Sequence, residues 1–306
     1  MNDEVIQVEK FRKVYGNFVA VDNISFEVKR GEIFGILGPN GAGKTTTLES
    51  LEGIRKADGG SLRVAGIDPA REAGKLRNLI GVQLQSSGMP SNLKVGESMQ
   101  FFCAYHGVSP RYDLLERLGL GGKVNDEIET LSTGLQRRLA LALAVAHEPV
   151  VLFLDEPTAG LDVPSRVELH ELMRELKDRG TTTLLATHDM AEAEEMSDRV
   201  AILLNGKIAA TGTPLEITAT GAGLTKVSVR TSASCLERAA GNFPGVNQAA
   251  KKEDYTIYFS RDIAATVSAI IAYIESQSDS LIDLRVERPS LEDRFLEITR
   301  TNGAVQ

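Results

Sequence analysis

The sequence predicts an α/β fold, a largely parallel β-sheet covered by helices, followed by a small second domain of the α+β class. Up to about residue 218, short β-branched runs alternate with helical stretches. Within that region Val150–Leu154 is continuously apolar, which is typical of a parallel strand buried on both faces. From about residue 222, single apolar residues alternate with polar ones instead. The 306 residues suffice for two domains, which we expect at 1–218 and 222–306.

Two further strands and a helix support the parallel sheet. Ile33–Leu37 is an apolar strand that leads into a glycine-rich turn and a helix from about Lys44. Thr181–Thr187 is another strand. The helix before it has Pro164 near its start and Gly180 just past its end. Helical spacing predicts that its buried face consists of Leu169, Leu172, Met173 and Leu176.

Two regions depart from this alternation. Residues from about 90 to 147 predict a helical subdomain, with helical patterns at Ser91–Leu118 and Gln136–His147. The tail predicts a strand at Val227–Val229 and a last helix that Ser290 begins, with Asp293 in a position that resembles a capping box. Leu291, Phe295 and Ile298 of that helix are expected to face inward. The other elements predicted for the tail are a strand at Tyr255–Phe259, a helix at Ile263–Ile274 and a strand at Leu281–Val286.

The composition excludes some classes of protein. The net charge of −8 argues against a general nucleic-acid binder, which needs basic surface to displace counterions from phosphates. No apolar run reaches the length of about 18 residues that a transmembrane helix needs. The N-terminus has no apolar signal-peptide core, and Cys103 and Cys235 belong to no metal-ligand cluster. We therefore expect a protein of the cytoplasm with reduced thiols.

A phosphate-binding loop follows the strand Ile33–Leu37. The segment from Gly38 to Thr45 fits G-x-x-x-x-G-K-[ST] and lies between a strand and a helix, the context this motif requires. Its glycines let backbone N–H groups point at phosphates, and the helix N-terminus adds positive potential. Lys44 is expected to reach the β- and γ-phosphates, and the Thr45 hydroxyl to bind Mg²⁺. The expected ATP-binding residues here are Gly38, Pro39, Asn40, Gly41, Ala42, Gly43, Lys44, Thr45 and Thr46.

A second motif indicates hydrolysis. The apolar strand Val150–Leu154 ends in two carboxylates, Asp155 and Glu156. Asp155 is suited to hold Mg²⁺ beside the phosphate loop. Glu156 is one residue further and points elsewhere, so it is the candidate general base for an attacking water. A strand that ends in Asp-Glu has little meaning alone, and its coupling to the phosphate loop favours the catalytic interpretation.

At this point the chain resembles the ABC ATPases, over nearly all of residues 5–216. Thr130-Leu-Ser-Thr-Gly-Leu-Gln136 stands where the family carries its signature loop, usually Leu-Ser-Gly-Gly-Gln. Ser132 and Gly134 match, whereas Thr133 replaces a glycine and Leu135 the usual glutamine. The Ser-Thr-Gly form is similar to that of bacterial exporters of the type-2 group. The resemblance implies a RecA-like core with an antiparallel β subdomain and a helical subdomain.

The resemblance also implies further site residues. Two cassettes would sandwich two ATP molecules, with Ser132 and Gly134 of one contacting the γ-phosphate held by the other. Tyr15 would stack on adenine, although a core or surface role is the alternative. Asp162 lies in a loop that crosses the dimer interface, and His188 matches the switch histidine near the γ-phosphate. Gln85 would contact Mg²⁺ and the attacking water, with Gln83 as a rival by spacing.

The function implied is that of an ATP-hydrolysing motor for an exporter. The segment from Pro289 to Ile298 resembles a C-terminal extension of exporters that handle drugs, antibiotics and lipids. A separate integral-membrane permease would supply the transport pathway, with the chain on the inner face of the cell membrane. The alternatives are an importer motor, an ABC ATPase that acts on DNA or ribosomes, and a non-catalytic nucleotide-binding module. No nucleic-acid partner is expected.

Overall fold

The computed structural model describes residues 3–83, 90, 92–219, 224–239 and 243–303, and the chain divides into two compact units, 1–214 and 215–306. The strands of the first unit are β1 (Glu4–Tyr15), β2 (Phe18–Lys29), β3 (Ile33–Leu37), β4 (Gly59–Val64), β5 (Ile80–Gln83), β6 (Val151–Asp155), β7 (Thr182–Thr187), β8 (Arg199–Leu204) and β9 (Lys207–Gly212). Its helices are α1 (Lys44–Leu51), α2 (Ala73–Leu76), α3 (Val95–Tyr105), α4 (Tyr112–Arg117), α5 (Thr133–Val145), α6 (Val163–Asp178) and α7 (Met190–Met196).

The elements of the second unit follow α8 (Pro214–Ala219), which begins at the last residue of the first unit. They are β10 (Thr225–Thr231), β11 (Val246–Lys252), β12 (Tyr255–Ser260), α9 (Ile263–Ser276), β13 (Leu281–Glu287) and α10 (Leu291–Gly303). Among the helices in the described parts of the chain, none combines the length and apolar character that a membrane span requires.

The central sheet of the first unit has the strand order β5-β6-β7-β3-β8-β9 and is parallel except for β9. Its inner strands are buried on both faces, as the apolar sequence of β6 predicts. Leu37 pairs with Thr187 and Asp155 pairs with Ala186, so β3, β6 and β7 end together. This common edge is where the chain places the phosphate loop, the carboxylate pair and His188.

A three-stranded antiparallel sheet, β2-β1-β4, accompanies the central sheet and confirms the expected antiparallel subdomain. Buried residues of β1, β2 and α1 share one apolar cluster with one face of the central sheet. The opposite face, with α5 and α6, belongs to a second apolar cluster. Both faces of the central sheet are thus covered, which is the condition for a parallel sheet to be stable.

The helical segment after β5 contains α3, α4 and α5 and confirms the predicted helical insertion. Helix α5 begins at Thr133, three residues before the predicted start, because the Ser132 hydroxyl caps it by accepting from Leu135 N. A glycine lets α5 approach β5: a Cβ on Gly81 would lie 2.1 Å from the Ala144 carbonyl oxygen.

The second unit contains an antiparallel sheet of order β11-β12-β10-β13. Its core joins Val227, Val229 and Tyr258 of the sheet to Ile270 and Ile274 of α9. The reciprocal cap of the last helix is present: the carboxylate of Asp293 accepts from Ser290 N, and Ser290 Oγ accepts from Asp293 N. Leu291 and Ile298 are buried, and Phe295 is half-buried.

Strand β11 was missing from the sequence-based prediction. It reads Val246-Asn-Gln-Ala-Ala-Lys-Lys252 and is mostly exposed, so it lacks the alternation that marks a half-buried strand. It is a strand because its backbone pairs with β12, from Val246 opposite Ser260 to Lys252 opposite Tyr255.

Candidate active site

The phosphate loop joins β3 to α1 and depends on two of its glycines. A Cβ on Gly38 would lie 2.3 Å from the Leu203 carbonyl oxygen. Gly43 has a φ of 105°, and a Cβ there would lie 2.7 Å from the Ala20 carbonyl oxygen. Larger residues would therefore push the loop away from β8 and β2. The tight course lets the loop turn directly into α1, whose N-terminal N–H groups favour an anion.

Lys44, the first residue of α1, lies across the floor of this loop. Its side chain is 6% exposed, and Nζ donates to the Gly38 carbonyl oxygen at 2.8 Å. The same nitrogen is 3.5 Å from Glu156 Oε1. A buried ammonium among acceptors is held in place to meet an incoming phosphate.

Thr45 and Asp155 form the oxygen-rich side of the site. Thr45 Oγ1 donates to Asp155 Oδ2 at 2.8 Å, while Asp155 Oδ1 is buried without a hydrogen-bond partner. Burial raises the pKa of Asp155 above its usual range, and the negative charge of Glu156 adds to this shift. Hydroxyl and carboxylate oxygens are the ligands that Mg²⁺ prefers, so these residues fit the expected ion.

Glu156 is the most constrained residue of the site. Its φ of 52° is in the left-handed region, and its backbone N–H donates to the Ala186 carbonyl oxygen at 2.9 Å. Its side chain is buried, and Oε2 is 2.6 Å from Nδ1 of His188, whose ring is exposed. The carboxylate of Glu156 lies between Lys44 and His188. Backbone strain of the kind at Glu156 is characteristic of functional sites.

Arg137 is a site residue that the sequence-based prediction missed. Its Nη1 donates to the carbonyl oxygen of Glu156 at 2.6 Å, from within α5. The contact ties the helix that begins at Ser132 to the backbone of the candidate base. The sequence contains one signal for it, an arginine pair directly before the apolar stretch Leu139–Val145, but the partner lies 19 residues away.

We expect Arg137→Met to lower kcat for ATP hydrolysis about tenfold, because Glu156 loses a contact that fixes its backbone. The KM for ATP should stay within about twofold, since Arg137 does not line the nucleotide cavity. Steady-state ATPase assays measure both constants. Arg137→Lys keeps a donor and should recover part of kcat. A rise in KM with unchanged kcat would contradict the positioning role.

The nucleotide cavity extends from the loop to the tip of the β1–β2 hairpin and has a volume of about 220 Å³. Tyr15 lies in its wall, and the cationic groups of Lys13 and Arg55 each lie 5.4 Å from the centre of its ring. Phe18 pairs with Tyr15 across the hairpin and is exposed, an aromatic that the sequence analysis overlooked. The lining consists of Tyr15, Phe18, Ala20, Pro39, Asn40, Gly41, Ala42, Gly43, Lys44, Thr45, Thr46, Asp155 and Glu156.

Some predicted residues lie elsewhere. Ser132 and Gly134 are at the start of α5, and Asp162 caps α6 by accepting from Ser165 N, so none of the three lines this cavity. Gln85 lies outside the described residues. Its rival Gln83 ends β5, is 1% exposed and has no hydrogen-bond partner for either side-chain amide atom.

A second cavity, of about 310 Å³, lies where β5 faces α3 and α5. We call it the β5 groove. It is lined mainly by apolar side chains, including Phe102 and Tyr105, together with Glu52 and the stacked rings of His106 and His147. Burial, with the charges of Glu49 and Asp155, raises the pKa of Glu52 to about 8. Glu52 is therefore protonated at neutral pH.

The raised pKa of Glu52 predicts a pH-dependent stability. An unfolded glutamate loses its proton near pH 4.5, so the folded chain holds one more proton between about pH 4.5 and 8. The free energy of unfolding should fall as the pH rises through this window. Glu52→Gln removes the titration and should raise the melting temperature at pH 8 by at least about 3 °C, with little change at pH 4.5. Thermal unfolding in EDTA without nucleotide tests this, and an equal difference at both pH values would contradict it.

Comparison with known proteins identifies the family. The sequence model of the family described as ABC transporter matches residues 21–159. The linearmycin resistance ATP-binding protein of Bacillus subtilis is 32% identical over 317 aligned positions, which cover 96% of this chain and 98% of that protein. The chain belongs to the ABC transporter family of ATP-binding proteins. This ABC protein is an ATPase, and the cassette fold predicted for it is confirmed.

Another relative and a solved structure agree with this assignment. The daunorubicin resistance ATP-binding protein of Streptomyces coeruleorubidus is 33% identical to this ABC ATPase and covers 100% of this chain and 99% of its own. The cassette MJ0796, solved as a dimer bound to ADP and Pi after hydrolysis, superposes with a TM-score of 0.64 at 25% identity. That match covers 68% of this chain and 98% of MJ0796.

Proposed function

We propose that this ABC ATPase is the motor subunit of an exporter and acts with a separate membrane permease on the inner face of the cell membrane. The observation that carries the proposal is the share of two relatives' chains over which they align with this chain. Two relatives named for resistance to linearmycin and daunorubicin align over nearly their whole chains, which includes the second unit. We assign residues 1–218 to the nucleotide-binding domain and 222–306 to an accessory domain, in keeping with the two compact units.

ATP is the substrate of the proposed reaction. Tyr15 stacks on the adenine, with Phe18 as a second aromatic surface at the same end of the cavity. The loop N–H groups and Lys44 hold the phosphates. Thr45 and Asp155 would hold Mg²⁺, with Gln85 as a further ligand, and the bound ion supplies neutralisation of phosphate charge. Asp155 Oδ1, buried and unpartnered, supports this assignment.

Hydrolysis is an in-line attack of water on the γ-phosphate. Glu156 accepts a proton from the water. His188, which lies 2.6 Å from the Glu156 carboxylate, orients the water together with Gln85. Lys44 stabilises the charge that develops on the γ-phosphate oxygens. Ser132 and Gly134 complete the site across a dimer, and Asp162 lies at the dimer interface.

The β5 groove is the proposed contact with the permease. It is apolar, carries the exposed side chain of Tyr105, and contains unpartnered polar atoms on Glu52, His106 and His147. A cytoplasmic segment of the permease that brings apolar side chains would cover Tyr105 and the apolar lining of the groove. The groove borders β5, which leads to Gln85, so docking and hydrolysis would be linked through this segment.

The test is capture of the ATP-bound state in membranes. Glu156→Gln is expressed, loaded with ATP and purified from detergent-solubilised membranes of its native host. We expect a dimer that carries a polytopic membrane protein, and we expect this protein to be lost when Tyr105→Asp is added to the groove. A dimer that stays in the aqueous fraction, or that brings down nucleic acid, would overturn the exporter assignment.

A further inference from the structure

One edge of the sheet in the second unit is open and exposes apolar side chains. Within the described part of the chain, β13 pairs only with β10, so its other side presents unpaired backbone N–H and C=O groups. Leu281, Ile282 and Val286 on this strand are 43%, 53% and 43% exposed. By contrast, β11 at the opposite edge ends in Lys251 and Lys252, residues that commonly protect an edge strand. An exposed apolar edge is a template for another strand.

The charges of β13 select one way in which it can pair with itself. Directly opposed residues of two antiparallel strands place their side chains on the same face of the sheet. Because side chains alternate between faces, two identical strands can pair only if one residue lies opposite its own copy, at the two-fold axis. Registers that pair at least five of the seven residues are centred on 283, 284 or 285. The first puts Asp283 opposite its own copy, and the last puts Arg285 opposite its own copy. Like charges in these positions are unfavourable.

In the register centred on Leu284, the residues on either side of the two-fold axis face partners of opposite charge or of the same apolar character. This register places Asp283 opposite Arg285 twice and Ile282 opposite Val286 twice. In the single chain, Asp283 already accepts from Arg285 Nε at 2.8 Å and from the Tyr255 hydroxyl at 2.6 Å. A second copy would therefore extend an existing network of charges on one face. It would also bring the exposed Ile282, which lies at an irregularity in the pairing with β10, opposite the exposed Val286.

We propose that β13 pairs antiparallel with β13 of a second copy of this chain, in the register centred on Leu284. The partner is thus another copy, and the contact lies outside the nucleotide-binding domain. This contact between two copies is not part of the proposed transport function, and it forms without nucleotide. A single strand pair is small beside a stable dimer interface, so we expect reversible association that depends on protein concentration.

The first test is a charge swap followed by sedimentation velocity. Full-length protein is studied over a range of concentrations in EDTA without nucleotide, where no ATP sandwich forms. Asp283→Arg and Arg285→Asp each put like charges opposite one another and should abolish the dimer. The double variant D283R/R285D should restore it, and Glu292→Lys, on an exposed residue of α10, should leave it unchanged. A wild type that is monomeric at every concentration, or a double variant that stays monomeric, overturns the proposal.

The second test uses disulfide trapping to fix the register, and does not depend on the charge variants. A mixture of Ile282→Cys and Val286→Cys chains should cross-link under mild oxidation, because these positions are opposed. Either variant alone places its cysteines about 13 Å apart along the strand, too far for a disulfide. Wild type, with Cys103 buried and Cys235 half-buried, gives the background. Equal cross-linking of the single variants and the mixture overturns the register. Retained ATPase activity in the same samples separates this outcome from failure of the proposed motor function.

Discussion

Glu156→Gln is expected to lower the rate of ATP hydrolysis by about 10²- to 10⁴-fold, the range seen when a general base is removed. The change keeps the size of the side chain and a group that can contact His188, which lies 2.6 Å from Oε2. It removes a negative charge 3.5 Å from Lys44, on the side where the γ-phosphate would bind. ATP affinity should therefore stay equal or increase while turnover stops.

Two measurements separate these effects. Phosphate release gives the rate of hydrolysis, and titration with a fluorescent ATP analogue gives the Kd. Glu171→Gln, an exposed position on α6, is the matched control and should behave as wild type. A variant that binds ATP more weakly in proportion to its lost turnover would show that Glu156 is needed for binding, and the role of base would have to be given to another residue.

Lys44→Ala is expected to have the second-largest effect, on binding and turnover together. The ammonium is buried between the Gly38 carbonyl oxygen and Glu156, so its removal leaves the carboxylates of Glu156 and Asp155 facing a triphosphate without compensation. Loss of a charge-assisted hydrogen bond of about 1.5–3 kcal/mol corresponds to an ATP Kd roughly 10- to 100-fold higher. Hydrolysis should fall by about 10²-fold or more, because the lysine also stabilises the transition state.

The effects of the two substitutions on Kd and kcat distinguish the roles of Lys44 and Glu156. Lys44→Ala should raise the Kd and lower kcat, whereas Glu156→Gln should lower kcat without raising the Kd. Lys252→Ala, an exposed lysine of the second unit, controls for the loss of a positive charge. Unchanged ATP binding in Lys44→Ala would contradict the assignment of Lys44 to the phosphates.

Much of the site follows from local sequence. The phosphate loop is a contiguous motif whose backbone geometry is fixed by its own glycines, and β6 predicts from its apolar run that Asp155 lies at the end of a buried strand. Parallel strands end at one edge, so the sequence also predicts that Lys44 and Asp155 meet. The predictions for Ser132, Gly134, Asp162, Tyr15, His188 and Gln85 came from the family resemblance, and their roles remain proposals.

Tertiary structure decided the contacts that join distant segments. Arg137 reaches Glu156 because α5 packs against β5, the neighbour of β6 in the central sheet, and no local pattern states which carbonyl an arginine will find. Phe18 lies opposite Tyr15 because the register of the β1–β2 hairpin pairs them. β11 is a strand because it pairs with β12, although its own residues do not favour a strand. The left-handed backbone of Glu156 is held by Ala186 and Arg137.

The sequence by itself thus determined the fold class, the phosphate loop and the carboxylate pair, because periodicity and short motifs encode local geometry. The tertiary structure alone decided how the base is oriented, which aromatics border the nucleotide cavity, and which edge of the second unit is open. These features depend on which segments pack together, and packing is a property of the whole chain.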